Sequence, residues 1–250
     1  MKNEDKKLII CDLDGTLTVS KSPIGADIAT IIVKLLETKK VAVISGGGYP
    51  QFQTQFLSRL PGNVDNLSNL YLLPTSGTRL YVWKGNWSQT YAEDLTTQEK
   101  EQILTAMDMA LKAAEYEKPQ NIFGPIIEDR GSQITFSALG QSAPAEIKYA
   151  WDPTRKKREK IKELLERKIP GFDVRIGGAT SVDVTRRGIN KAYGIRKLEQ
   201  YLNIESDAIV FIGDALFYGG NDYPARASGV DCIEVRGPED TLKILQGFIT

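Results

Sequence analysis

The sequence predicts an α/β fold: a parallel sheet covered by helices, with an α+β segment inserted into it. Three observations point there. Short, wholly apolar runs in "LIICDLD", "VAVISGGG" and "DAIVFIGD" read as strands buried on both faces. Stretches of helical periodicity alternate with them, as parallel strands require. Between these two regions the texture changes to alternating strands and hairpin turns. The expected division is residues 1–81 and 186–250 for the sheet, and 82–185 for the insertion.

Taken in order, "LIICDLD" is the first strand. "GADIATIIVKLLETKK" carries Ile28, Ile31, Ile32, Leu35 and Leu36 at helical spacing. "VAVISGGG" is a second strand, "PQFQTQFLSRL" a helix and "LYLLPTSG" a third strand. "TRLYVWKGNWSQTYAEDL" alternates and turns at Lys84-Gly85-Asn86, as a hairpin does. "TTQEKEQILTAMDMALKAAEY" is an amphipathic helix with Thr96 or Thr97 as its cap. "IIEDRGSQITFSAL" is another hairpin. "DPTRKKREKIKELLERKIPG" is a helix with Asp152 and Pro153 at its start and Gly171 beyond its end, and "FDVRIGGATSVDVT" is a strand pair. "NKAYGIRKLEQYL" returns to helix, followed by the strands "DAIVFIGD" and "DCIEV".

Bulk properties narrow the function. The 250 residues are 41% hydrophobic and 26% charged, ordinary for a soluble protein with a real core. Lys plus Arg and Asp plus Glu are 32 each, so net charge does not select nucleic acid as a partner. The basic run "TRKKREK" continues into alternating charges with an apolar stripe at Ile161, Leu164 and Leu165, a solvated helix face. The chain has no His, so acid–base work falls to carboxylates, Lys, Tyr or Cys, and a metal site would be rich in oxygen. Cys11 and Cys232 make no disulfide scaffold, and strand alternation turns Cys11 away from Asp12. No apolar stretch reaches membrane-spanning length and the start lacks a signal peptide, so a cytoplasmic protein is expected.

Four pieces fall at predicted strand ends, where ligands bind in open parallel sheets. Asp12 and Asp14 flank Leu13 and precede Gly15 and Thr16. Ser45 leads Gly46, Gly47 and Gly48, a hydroxyl with bare N–H groups suited to phosphate oxygens. Lys191 opens a helix behind a capping Asn190. Asp214 ends a strand, and Asp222 follows in a glycine-rich loop beside Asn221, a candidate substrate contact. Singly, each has an ordinary explanation as a turn, a loop or a surface lysine. Together they suit phosphoryl transfer at a Mg²⁺ held by Asp12, Asp14, Asp214 and Asp222. Asp12 is the expected nucleophile and Asp14 the acid and base, with Ser45 and Lys191 screening the phosphate charge.

On these residues the chain resembles the haloacid dehalogenase (HAD) superfamily: D-x-D-G-T, a Ser after the second strand, a Lys before a late helix, and G-D…N-D. The resemblance implies a Rossmann-like core, Mg²⁺ and, for the insertion, the α+β cap of the type IIB branch. "DLDGTLT", "ISGG", "GGNDYPARA" and "GPEDT" are similar to the eukaryotic-type phosphomannomutases of that branch. That likeness implies Arg130 as a substrate-phosphate ligand, Ser181 and Asp183 near sugar hydroxyls, and a possible homodimer. The mutase pattern has arginines where this chain has Lys21 and Gln141. Neither replaces the fixed guanidinium fork, although Arg155, Arg158 or Arg175 could compensate. The expected activity is therefore a Mg²⁺-dependent phosphatase acting on a sugar phosphate or similar small phosphoester. The alternatives are a phosphomannomutase and a phospho-accepting signalling protein.

Overall fold

The structure is a computed structural model and describes residues 3–19 and 21–249. The chain divides into two units, Met1–Ala92 with Ile189–Thr250, and Glu93–Gly188.

The first unit is built on β1 (Leu8–Asp12), β2 (Lys40–Ile44), β3 (Leu70–Leu73), β4 (Arg79–Trp83), β5 (Trp87–Ala92), β10 (Ile209–Gly213) and β11 (Asp231–Glu234). Their order is β11-β10-β1-β2-β3-β4-β5. The five strands from β11 to β3 are parallel, and β4 and β5 are added antiparallel. All five residues of β1 and of β10 are buried, which is why both read as continuous apolar runs. Alternate residues then serve opposite faces. Ile9, Cys11, Val41, Val43, Val210 and Ile212 pack against α1 (Ala26–Leu35), α2 (Tyr49–Gln55) and α7 (Pro238–Gln246). Leu8, Ile10, Ile44, Ile209 and Phe211 pack against Ile195 and Leu198 of α6 (Lys191–Leu202). Cys11 thus lies in the core opposite the side of Asp12. Burial, with the charge of Asp12 behind it, pushes its thiol far up and leaves it inert.

The hairpin of β4 and β5 corrects the expected boundary. It begins no insertion, because Tyr71 and Leu72 of β3 pair directly with Val82 and Tyr81. The alternation was legible, but its pairing to a parallel sheet was not, since an antiparallel strand can extend the edge of such a sheet.

The second unit has four antiparallel strands, β6 (Ile127–Asp129), β7 (Gln133–Ser137), β8 (Phe172–Ile176) and β9 (Ser181–Arg186), in the order β6-β7-β9-β8. One face, with Ile134, Phe136, Val174, Val182 and Val184, packs on α3 (Thr97–Ala113) and α5 (Lys156–Lys168). A capping box starts α3: Thr96 accepts from the Glu99 N–H while the Glu99 carboxylate accepts from the Thr96 N–H. Helix α5 begins three residues later than Pro153 suggests. Arg155 precedes it at φ 65°, and the Asp152 carboxylate accepts from the N–H groups of Lys157 and Arg158. The short α4 (Ala145–Trp151) has no counterpart in the sequence reading. Among the described residues, no helix is long and apolar enough to cross a membrane.

Candidate active site

Parallel pairing of β1 with β10, Cys11 opposite Ile212, carries Asp12 and Asp214 to the same end of the sheet. The loop after β10 folds back on itself. The Asp222 N–H donates to the Ala215 carbonyl at 3.2 Å, and the Ala215 N–H donates to Asp222 Oδ2 at 3.1 Å. Asp222 is thereby completely buried and brought to Asp12 and Asp214. Each of the three offers a carboxylate oxygen within 4.8 Å of the others. Gly15 makes this possible. Its φ of 89° turns the chain after Asp14, and a Cβ there would lie 2.5 Å from Asp214 Oδ2. The Thr16 hydroxyl also donates to Asp214, at 3.3 Å.

Lys191 completes the cluster. The Asn190 side chain caps α6 by accepting from the Tyr193 N–H, which sets Lys191 at the first helical position. Its ammonium, 2% exposed, donates to Asp12 Oδ1 and to Asp222 Oδ1. Burial opposes that charge, but Asp12 and Asp222 outweigh it and hold the lysine protonated above its usual range. Burial raises Asp12 well above the ordinary carboxylate range; Lys191 opposes the shift and Asp222 adds to it. Asp214 is raised too, by burial and then by the charge of Asp222.

One ammonium therefore faces three crowded carboxyl groups, and Asp12 Oδ2 is buried without a hydrogen-bond partner. An unpaired buried carboxylate oxygen is costly. A hard divalent cation fits this donor set: oxygens only, converging, with negative charge in excess. Asp12, Asp214 and Asp222 would hold it.

Asp14 does not share that cluster, a correction to the expected ligand set. With the chain turned at Gly15, its carboxylate points elsewhere and accepts from the Gln51 amide at 2.5 Å and from the Lys21 N–H at 2.6 Å. Lys21, expected as a phosphate contact, contributes this backbone N–H from a left-handed conformation, φ 53°. Ser45 is buried at the end of β2, where its hydroxyl accepts from the Gly47 N–H at 3.0 Å and retains its own proton to donate. Gly46 and Gly47 lie in that same turn. Asn221 is exposed beside Asp222.

The remaining expected contacts lie in the second unit. Arg130 follows β6 and is held by Glu128, with its Nε and one terminal nitrogen at 3.0 and 2.8 Å from the same carboxylate oxygen. Ser181 and Asp183 share the polar face of the sheet with β7. The hydroxyls of Ser181 and Ser137 are 2.8 Å apart, and the Thr135 hydroxyl donates to Asp183 at 2.7 Å. The Gln141 carbonyl accepts from Lys148 at 3.0 Å. Sequence reasoning missed Gln51, Thr135 and Ser137. The period of two in "QITFS" was a usable signal for the last two; Thr16 is marked by the D-x-D-G-T motif, though not its bond to Asp214.

Comparisons with known proteins show the family and the fold. A sequence model of the eukaryotic phosphomannomutase family matches residues 28–250. The chain is 28% identical over 243 residues to a phosphomannomutase of Spinacia oleracea, covering 94% of this chain and 93% of the relative. It is 27% identical over 250 residues to phosphomannomutase 1 of Homo sapiens, covering 97% and 92%. Among solved structures, an N-terminally truncated IMP-nucleotidase of Plasmodium falciparum superposes with TM-score 0.71 at 19% identity, covering 99% of this chain and 71% of that one. A haloacid dehalogenase-like hydrolase from Bacteroides thetaiotaomicron gives 0.60 at 14%, covering 96% and 98%. At such identities the structures speak for the fold alone.

A mainly parallel core with three acids converging at its strand ends is set here on the fold of the haloacid dehalogenase-like structures. The family match spans nearly the whole chain, and the chain belongs to the eukaryotic phosphomannomutase family.

Proposed function

We propose that the chain is a Mg²⁺-dependent phosphomutase that moves a phosphoryl group between two hydroxyls of a sugar phosphate through an aspartyl-phosphate. The observation that carries this reading is the buried carboxylate of Asp12, with one oxygen held by Lys191 and the other unpartnered, inside a cluster suited to a cation. Family membership supports the mutase outcome over hydrolysis.

In this reading a carboxylate oxygen of Asp12 bonds to phosphorus as the bond from phosphorus to the sugar oxygen breaks. Asp14 gives its proton to the departing alkoxide. It then takes a proton from the incoming hydroxyl, whose oxygen attacks the phosphorus and frees Asp12. Lys191 keeps Asp12 oriented and screens the phosphate charge. Mg²⁺ bound by Asp12, Asp214 and Asp222 supplies charge neutralisation for a carboxylate meeting an anionic phosphate. Ser45, Gly46 and Gly47 are assigned to the transferring phosphate. Lys21, Arg130, Gln141, Ser181, Asp183 and Asn221 are assigned to the rest of the substrate.

A second reading, hydrolysis of the aspartyl-phosphate by water, is favoured by one observation. Lys21 and Gln141 stand where the mutase pattern has arginines, which weakens the grip on a bisphosphate that must turn over. Incubating mannose 1-phosphate with the enzyme, Mg²⁺ and a trace of the 1,6-bisphosphate separates the two. Mannose 6-phosphate formed without inorganic phosphate is the expected result. Inorganic phosphate accumulating in step with substrate loss would replace the mutase by the phosphatase.

A further inference from the structure

Asp14 is pinned at both oxygens, and the groups that pin it come from different parts of the chain. The Lys21 N–H holds Oδ1, and the side-chain amide of Gln51, on α2, holds Oδ2. The same Gln51 nitrogen donates to Oε1 of Gln55 at 3.0 Å, one helical turn further along. Gln55 is 5% exposed, and its backbone carbonyl accepts from the Ile24 N–H at 2.8 Å, which fixes the end of the helix that carries this side chain. An amide that could point either end at Asp14 is therefore held with its donor end toward it.

The backbone makes room for this arrangement. A Cβ on Gly47 would lie 1.8 Å from Gln51 Oε1, so the Gln51 side chain runs over the glycine where any other residue would block it. The glycine-rich turn after β2 has a use besides facing phosphate: it gives the second helix access to the carboxyl group after the first strand.

We infer that Gln51 is a positioning residue for Asp14, holding the carboxyl group at the angle from which it exchanges its proton with the substrate oxygen. Two N–H donors, one on each oxygen, stop rotation of the carboxyl about its terminal torsion. A carboxylate has about four lone-pair sites, so each oxygen keeps one for the proton and the reacting oxygen. A displacement of about 1 Å at such a group can cost on the order of a hundredfold in rate. The inference rests on the proposed acid–base role of Asp14.

The test is leaving-group dependence. Wild type, Gln51→Ala and Gln51→Glu are assayed with Mg²⁺ on mannose 1-phosphate with a trace of the 1,6-bisphosphate, whose leaving alkoxide needs a proton, and on the first release of 4-nitrophenolate from 4-nitrophenyl phosphate, the step that phosphorylates Asp12 and whose phenolate needs none. Gln51→Ala should lower kcat on the sugar phosphate about tenfold or more, and on the aryl ester less than about twofold. Gln51→Glu keeps nearly the same shape but replaces the donor by an acceptor, so it should be at least as impaired on the sugar phosphate. A packing role predicts the reverse, with Gln51→Glu close to wild type. If wild type turns over both esters and Gln51→Ala slows them equally or not at all, the positioning role is wrong while the phosphotransfer reading stands. If wild type turns over neither, both fall. Melting curves for each variant exclude misfolding as the source of a loss.

Discussion

The two units of this chain treat charge in opposite ways. In the core, Asp12, Asp214, Asp222 and Lys191 come from separate elements and meet in one cluster, all but the half-buried Asp214 shielded from water, with one oxygen left unpartnered. In the second unit charge is settled in pairs, one cation to one acid. Arg130 pairs with Glu128 and Arg175 with Asp173, both two residues apart, while Arg158 pairs with the nearby Asp152 at 2.9 Å. Paired groups of this kind are complete in themselves, whereas the core cluster needs something more. Pairwise neutralisation completes itself on folding, while convergent carboxylates call for a cation or a reacting group.

The largest expected contrast is in activity. Asp12→Asn should keep the fold, judged by circular dichroism, and lower turnover of any phosphoester by at least about ten-thousandfold. A variant with appreciable turnover would mean that the buried acid is structural, and the contrast between the units would lose its meaning.

Next comes the response to metal. Mg²⁺ at about a hundredfold excess over its Kd should raise Tm by about 5–10 °C. Asp214→Asn should remove most of that rise, while Glu128→Gln in the second unit should leave it unchanged. Burial and Asp222 raise the carboxyl of Asp12, so protons compete with the cation there. The metal-induced rise should therefore shrink as pH falls. An equal rise in all three proteins would place the cation elsewhere.

The smallest effect belongs to the second unit. Glu99 accepts from Arg186 at 2.8 and 2.6 Å, and that hydrogen bonding, with the Thr96 N–H, holds its carboxyl down to about 2 from 4.5. A depressed carboxyl stabilises the fold above the unfolded value and loses the contribution as pH drops toward the folded one. Glu99→Gln should thus lose less than about 1 kcal/mol at neutral pH, since the pair is partly exposed. The deficit should vanish between pH 4.5 and about 2. A difference that persists below that range would assign the loss to the capping box.

Legibility followed the range of the interactions. β1, β10 and α1 were readable because a buried strand is apolar throughout and a half-buried helix repeats on its own period. Asp12, Asp14, Asp214 and Asp222 were expected around one cation because they fall at neighbouring strand ends. That Asp12 meets Lys191 while Asp14 meets Gln51 depends on which way the chain turns at Gly15, and no periodicity reports that. The same limit explains the misplaced hairpin of β4 and β5, whose strands were recognised but whose partner was not.

By itself the sequence determined the element types, the acids at the strand ends and the family pattern, because propensity, burial period and motif spacing are local properties. Tertiary structure alone decided which carboxylates converge and which is led away to an amide. A carboxylate's chemistry is set by the few ångströms around it, and those neighbours arrive from strands and loops that only the folded sheet brings together.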